Sequence, residues 1–500
     1  MPAAIRSGSS HTRIRPLYTH SEPALKLASH SAFDFPRVMC RVLSAISLAA
    51  IAMAGLTTSV AHAQADAVPA VPPIEFEKYT LPNGLQVILH QDRSVPLVAV
   101  NVWYHVGSGD EQPGRTGFAH LFEHIMFMGS LNVPVGMFDI WLEGAGANNN
   151  GSTTPDRTNY YEWMPSNALP LALWLEADRL GNLLPTMTQE KLDLQRDVVK
   201  NERRQGVDNV PYGMAYETIL AALFPAGHPY SWSTIGSMED LSAASLEDVN
   251  SFFSTYYAPN NASLSIAGDF DPDSVKQMIS EYFGWIPRGS DMPPRPQVRP
   301  APVARDTFLV LEDRVQLPRL YNTWHSASAL TDDDAALSVL AYILAGDKNS
   351  RLYESMVYRL QVAQDVRVAQ DGMRLDGMFM LQVTPRPEHT PSEMQRMVNE
   401  ELVRIQREGV TERELQRAKS VILASSLNRL AGVRGKADEL NYYNYFADDP
   451  GYASQAAAKY ARLTTGDIRR VAREYLGKPR VTLTVVPTGE SELMVSGGAR

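Results

Sequence analysis

Cysteine is almost missing from this chain: Cys40 is the only one in 500 residues. No intrachain disulfide can form, and a zinc site built on several thiolates is excluded. Any metal must therefore be held by histidine and carboxylate. A basic stripe is missing too. Beyond the extreme N-terminus, acidic and basic residues are mixed, and the formal net charge is −10. That excludes the electrostatic footprint of a nucleic-acid binder. An acidic surface favours solubility and, among peptides, basic ones. Finally, no apolar run spans a bilayer comfortably. The main candidate, from Val42 to Leu56, falls short of the roughly 20 residues a spanning helix needs. The mature chain is expected to have no membrane span.

That short run belongs instead to a targeting pattern. Arg37, Met39, Cys40 and Arg41 precede it, and Thr57, Thr58 and Ser59 break it. Ala61-His62-Ala63 then has the small-x-small form of a signal-peptidase site. Residues 1–63 are read as an N-terminal extension and signal peptide. The signal spans about residues 39–63, with Met39 as the start and cleavage after Ala63. The competing reading is an N-terminal membrane anchor, for which the run is short. A lipoprotein would need cysteine at the cleavage point, and Cys40 lies before the run. The expectation is an exported, periplasmic protein whose mature chain begins at Gln64.

The remainder is ordinary soluble-protein material: 44% apolar and 20% charged, enough to build sizeable cores. Its length predicts about two to four domains. Two alternating runs, Phe76 to Leu81 and Leu85 to His90, flank Pro82-Asn83-Gly84 and predict a β-hairpin. Leu97 to Val106 predicts a third strand. Helices are predicted over Thr116 to Met128, Asn167 to Asn182, Thr188 to about Arg204, and Val275 to Phe283. Ala262 to Ala267 predicts a strand ending at Gly268. From Pro287 to Pro302 prolines accumulate, which marks a semi-rigid linker and a domain boundary. Beyond it the order of elements repeats. Arg319 to Trp324 is a strand candidate, and Ala335 to Ala345 is an apolar helix ending at Gly346. Pairing Gly346 with Gly129 sets Leu337, Leu340 and Ala341 opposite His120, Glu123 and His124. The second half thus reads as a duplicate without polar chemistry.

His120-Leu121-Phe122-Glu123-His124 carries the chemistry. Residues four apart on a helix share a face, so two imidazoles can meet one metal. Glu123 sits beside that face, able to take a proton from a water at the metal. This H-x-x-E-H order is a zinc peptidase signature. The bland alternative is an amphipathic helix with two surface histidines. Against it, Phe118, Phe122, Ile125 and Phe127 surround the triplet, and burying three ionisable groups is costly unless they are paired or metal-bound. A catalytic zinc needs a third protein ligand. Glu176, Glu190, Asp193, Asp197 and Glu202 are candidates, and their spacing alone does not separate them.

Further landmarks accompany the triplet: Leu81-Pro82-Asn83-Gly84-Leu85, Val106-Gly107-Ser108-Gly109, Gly117-Phe118-Ala119 leading into it, and Leu175-Glu176-Ala177-Asp178-Arg179-Leu180. Together they resemble the pitrilysin/insulinase family of zinc metallopeptidases. The likeness is to the short two-domain branch that includes the mitochondrial processing peptidase and bacterial relatives, and it covers about residues 76–486. It implies an α+β fold of two homologous α/β-sandwich domains, each an antiparallel-rich sheet covered by helices. The expected division is a catalytic domain over 74–286, a linker over 287–304 and a C-terminal domain without metal over 305–490. It also implies Glu202 as the third ligand, one Zn²⁺ per chain and Glu123 as the catalytic base. Gln195 stands where relatives often have a further Glu. An edge strand with Asn150 and Thr153 would pair with substrate, although Asn148 to Asn150 also fits a polar turn. Relatives use an Arg and a Tyr of the second half on substrate; Arg374 and Phe379 lie in that region without a clean match. The implied activity is zinc-dependent endopeptidase action on peptides or unfolded polypeptides, by a homodimer or a heterodimer with a related subunit. The rivals are a non-catalytic partner subunit and a zinc protein that only captures peptides.

Overall fold

The computed structural model describes residues 71–295, 300 and 302–497. The expected signal peptide lies outside the described residues.

In the first half, the strands are β1 (Glu77–Thr80), β2 (Gln86–Gln91), β3 (Leu97–Tyr104), β4 (Asn148–Thr153), β5 (Thr158–Pro165) and β6 (Ala262–Gly268). They form a six-stranded sheet in the order β1-β2-β6-β3-β5-β4. Only the β2–β6 pair is parallel. The β1–β2 hairpin forms around Gly84, whose φ of 95° a side chain would resist. The helices are α1 (Phe118–Ile125), α2 (Met137–Gly144), α3 (Leu169–Asn182), α4 (Gln189–Arg203), α5 (Ala215–Leu223), α6 (Met238–Ala243), α7 (Leu246–Tyr256) and α8 (Pro272–Phe283). The predicted helix over Thr116 to Met128 is shorter than its periodicity. Gly117, at φ 86°, fixes its start, and a looser turn replaces it after Ile125. The asparagine run is not a turn: Asn148 to Asn150 enter β4, the terminal strand of the sheet.

In the second half, β7 (Thr307–Asp313), β8 (Arg319–Ser326), β9 (Ala363–Gly372), β10 (Gly377–Pro385) and β11 (Val481–Pro487) form a sheet in the order β7-β11-β8-β10-β9. Again one pair, β7–β11, is parallel. Matching β2 to β7, β6 to β11, β3 to β8, β5 to β10 and β4 to β9 aligns the two topologies, with β1 as the one extra strand among the described residues. Here the helices are α9 (Asp332–Ala345), α10 (Pro391–Glu408), α11 (Glu412–Arg429), α12 (Val433–Ala447), α13 (Ala453–Arg462) and α14 (Thr465–Glu474). The expected fold, two homologous helix-covered sheets, is the one observed.

The repeat corrects one detail. Gly346 follows α9 directly, whereas Gly129 lies beyond a turn after α1, so the two glycines are not equivalent. Matching buried faces instead sets Phe118, Leu121, Phe122 and Ile125 against Ala336, Val339, Leu340 and Ile343. Ser338, Ala341 and Tyr342 then stand where His120, Glu123 and His124 do. Likewise Thr188 and Thr411 both cap their helices, and buried Leu192 and Gln195 match Leu415 and Ala418. That register sets Ser425 opposite Glu202.

The two halves exchange equivalent helices. From the first half, α5 lies on β8 and β11, where Ile219 and Leu223 join Leu483 and Val485 in one apolar cluster. From the second half, α12 lies across β2, β3, β5 and β6. Its seam is partly apolar, with Val433 and Ala437 against Ala99 and Ala267. The rest is polar: Asn441 Nδ2 donates to Asn101 O at 2.8 Å, and Ser263 Oγ donates to Asn441 Oδ1 at 2.8 Å. The linker is pinned as well, since Arg295 lies 3.4 Å from Asp110 and donates to Tyr445 Oη. Among the described residues, no helix is long and apolar enough to cross a membrane.

Candidate metal centre

Helix α1 lies between the edge strand β4 and helix α4. Its buried face (Phe118, Leu121, Phe122 and Ile125) enters the core, which turns His120, Glu123 and His124 outward together. Its start is over-determined. The Glu111 carboxylate accepts from Gly117 N at 3.0 Å, from Ala119 N at 2.7 Å and from the Trp232 indole at 3.1 Å. A carboxylate there satisfies N–H groups that a helix start leaves unpaired. Burial pushes the Glu111 carboxyl well above the usual range, and these donors oppose the shift. Gly117 and Gly236 meet backbone to backbone: a Cβ on Gly236 would lie 2.4 Å from Gly117 Cα.

Helix α4 begins as expected, with Thr188 Oγ1 accepting from Lys191 N. Its last turn carries Glu202. Next to it, Arg203 makes a bidentate pair with Glu217 at 2.5 and 2.9 Å and donates to Gly236 O at 2.7 Å. Gly236 therefore joins the end of α4 to the start of α1. The sequence held no signal for Glu111 or Gly236 in these roles, because both act across loops distant in the chain.

The outcome is a convergence of three donors. His120 Nε2 and His124 Nε2 are 3.3 Å apart, and Glu202 Oε2 lies 3.7 Å and 3.2 Å from them. Around a tetrahedral zinc with bonds of about 2.0–2.1 Å, neighbouring ligand atoms stand about 3.3 Å apart. The donor set fits that ion in identity and spacing. Among the described residues, no other group of three such side chains comes together. Burial lowers the His120 pKa to about 4, reinforced by the neighbouring His124 and opposed by Glu202. Burial lowers His124 likewise, against the pull of Glu202. Both shifts favour the neutral ring, the form that binds metal.

Glu123 stands beside the three donors. Thr153 Oγ1 donates to its Oε2 at 2.6 Å. Gly151 makes room for it, since a Cβ there would lie 3.0 Å from Glu123 Cγ. Burial raises the Glu123 pKa; the Thr153 hydrogen bond and then the Arg157 charge pull it down. Arg157 Nη1 also donates to Ser152 O at 2.8 Å and Oγ at 2.7 Å, bracing the edge strand. Asn150 is exposed on the same strand, and its Oδ1 accepts from Gly151 N at 2.8 Å.

The other ligand candidates are elsewhere. Glu176 is buried against Arg179, which also faces Glu162 at 3.6 Å. Asp193 pairs with Arg196, and Glu190 and Asp197 are exposed away from the histidines. Gln195 is buried and donates to Met128 Sδ. Phe379 is a core residue against Trp324, and Arg374 N donates to Asp156 at 3.0 Å where the β4–β5 and β9–β10 turns meet.

Known proteins resemble this chain in sequence and in fold. A family profile described as Insulinase (Peptidase family M16) matches residues 86–229, and one described as Peptidase M16 inactive domain matches residues 243–422. The zinc protease PqqE of Helicobacter pylori is 28% identical over 409 residues, covering 80% of this chain and 90% of that protein. A crystal structure of a protease from Helicobacter pylori superposes with a TM-score of 0.79 at 26% identity, covering 83% of this chain and all of that one. The periplasmic protease PqqL of Escherichia coli shares the fold, with a TM-score of 0.71 at 17% identity over 86% of this chain but 50% of its own. With both profiles laid end to end over well more than half of its length, the chain belongs to the pitrilysin/insulinase family, peptidase family M16.

Proposed function

We propose that this chain is an exported zinc-dependent endopeptidase acting on peptides or unfolded polypeptides. The observation that carries the reading is the convergence of His120 Nε2, His124 Nε2 and Glu202 Oε2 beside Glu123. These three side chains would hold one Zn²⁺, which when bound supplies Lewis acidity and lowers the pKa of a water. Glu123 takes the proton from the attacking water and later delivers it to the leaving nitrogen. Thr153 fixes the carboxylate for both transfers. The outer edge of β4 offers backbone groups to an extended peptide, which would bind as an added strand passing Asn150 and Thr153.

In this reading residues 74–286 are the catalytic domain, 287–304 the linker and 305–490 a domain without metal. Ser338, Tyr342 and Ser425 at the counterpart positions support a second domain without metal, and the inactive-domain profile, over residues 243–422, covers the first two of them. The signal pattern over residues 39–63 and the fold shared with a periplasmic protease support export to the periplasm. The chain spans half of that larger protease, which supports pairing with a second copy or a related subunit.

The test is the variant Glu123→Gln. It is expected to keep stoichiometric zinc by metal analysis and to lose cleavage of a quenched peptide by about a thousandfold or more. Full activity in this variant would refute the mechanism, and a wild-type protein with zinc but no cleavage of any peptide would favour a capture protein.

A further inference from the structure

The Val106-Gly107-Ser108-Gly109 landmark touches none of the three metal donors; it grips the β4–β5 turn, residues 154–157, which follows Thr153 directly. Ser108 N donates to Thr154 O at 3.1 Å, and Gly109 N donates to Pro155 O at 2.8 Å. A Cβ on Gly107 would collide with Thr154 O, and one on Gly109 would lie 2.8 Å from Pro155 O, so glycine is what allows the close approach. The same loop runs on through Ser108–Asp110 to Glu111, the cap of α1. The strand that holds Glu123 and the helix that carries it are therefore anchored on one short stretch of chain.

The turn also reaches the second half, through the buried Asp156. Its Oδ1 accepts from Tyr230 Oη at 2.6 Å, and its Oδ2 accepts from Arg374 N at 3.0 Å. The Tyr230 hydroxyl in turn accepts from Leu375 N at 3.0 Å. Two consecutive backbone N–H groups of the β9–β10 turn thus end on one carboxylate, one directly and one through Tyr230. The Arg374 guanidinium stands 3.7 Å from the same Oδ1, and Asp156 O accepts from Tyr445 Oη of α12 at 2.8 Å. Charge-assisted bonds in a buried setting are strong and directional, so they fix where the turn sits. Packing does not fix it alone: a cavity of about 240 Å³ lies beside the turn, lined in part by Trp103, Pro155, Arg157, Asp371 and Tyr442.

We propose that Asp156 is a positioning residue, bridged by Tyr230, through which the second half holds Thr153 in place and Thr153 holds the carboxylate of Glu123. The inference rests on Glu123 being the base. The turn is closed on itself, with Thr154 N donating to Arg157 O at 2.9 Å and Thr154 Oγ1 accepting from Arg157 N at 3.2 Å. A displacement at Asp156 is therefore passed to Thr153, the last residue of β4, rather than absorbed between them. Thr153 reaches Glu123 through a single hydrogen bond of 2.6 Å, and proton transfer falls steeply when a reacting group is misplaced by fractions of an ångström. A domain without metal thus contributes to the reaction by geometry.

A double-mutant cycle with Thr153 tests it. Asp156→Ala is expected to lower kcat about tenfold or more, with KM within about threefold and zinc content intact. In a Thr153→Val background the same change is expected to lower kcat by less than about twofold, because the link it acts through is already gone. Tyr230→Phe removes only the bridging hydroxyl. It is expected to lower kcat about three- to tenfold in the same pattern, and it carries the comparison if Asp156→Ala does not fold. Hydrogen exchange reads the link without any peptidase activity: in Tyr230→Phe, residues 152–157 and 373–376 are both expected to exchange about tenfold faster. A loss of kcat undiminished by Thr153→Val, or faster exchange confined to residues 373–376, would make Asp156 a staple between the halves and overturn the proposal. Unchanged kcat in a folded Asp156→Ala enzyme would overturn it too. A wild-type protein that cleaves no peptide would remove the proposed function instead, and exchange at residues 152–157 would still decide whether the link holds Thr153.

Discussion

Glu123 is held from two sides by residues of one strand. Thr153 binds its carboxylate, and Gly151 leaves the space its stem needs. Position and protonation are therefore set together, because the Thr153 hydrogen bond also counters the upward pull of burial on the carboxyl. Thr153→Val keeps the shape and removes the donor. It is expected to lower kcat by about ten- to a hundredfold while leaving zinc content intact, and Thr153→Ser is expected to recover most of the loss. Steady-state kinetics with metal analysis checks both; a Thr153→Val enzyme of normal kcat would remove Thr153 from the mechanism.

The helix that carries the triplet is held at the level of elements. Eight residues are too few to sustain an isolated helix, so α1 depends on its cap and on its packing. Glu111 supplies the cap from a preceding 3₁₀ turn, and Arg203 ties α4 to the same junction through Gly236. Glu111→Ala would leave the Gly117 and Ala119 backbone N–H groups without this acceptor, while the Trp232 indole would keep Ser108 O at 2.9 Å. A loss of about 2–3 kcal/mol is expected, by analogy with caps and buried donors left unpaired. Denaturant titration measures it. Zinc affinity is expected to fall as well, because the two histidines depend on the start of α1; a variant with unchanged affinity would show that packing alone places them.

Across the whole molecule, the exchange of α5 and α12 makes each half complete the other's sheet cover. Separating the halves would expose the apolar face of α5, with Ile219, Leu220 and Leu223, and the polar bonds of Asn441 and Asn101 would lose their partners. One calorimetric unfolding transition is expected for the described region, and halves expressed separately are expected to be unstable until mixed. Two independent transitions would contradict this. For the assembly, light scattering at micromolar concentration is expected to give the mass of a dimer; an active monomer would refute the proposed pairing.

Some of this was legible in the sequence because it depends on neighbours along the chain. The Pro82-Asn83-Gly84 turn, the Thr188 cap and the i, i+4 histidines each follow from local stereochemistry, and all stand as read. The repeat was legible in its order of elements but not in its register, because a glycine past a helix marks no face. Only burial in the folded chain set Ser338 and Tyr342 opposite His120 and His124. By spacing alone Glu202 was one carboxylate among five, and only the family resemblance singled it out; the packing of α4 on α1 brings it to the histidines, since spacing along a chain does not measure distance across loops. The same holds for Glu111, Gly236 and the exchanged helices. The sequence by itself determined which groups could bind a metal and move a proton. The tertiary structure decided which carboxylate joins them, because only the packing of α4 on α1 brings a donor within about one tetrahedral edge, roughly 3.3 Å, of two imidazoles.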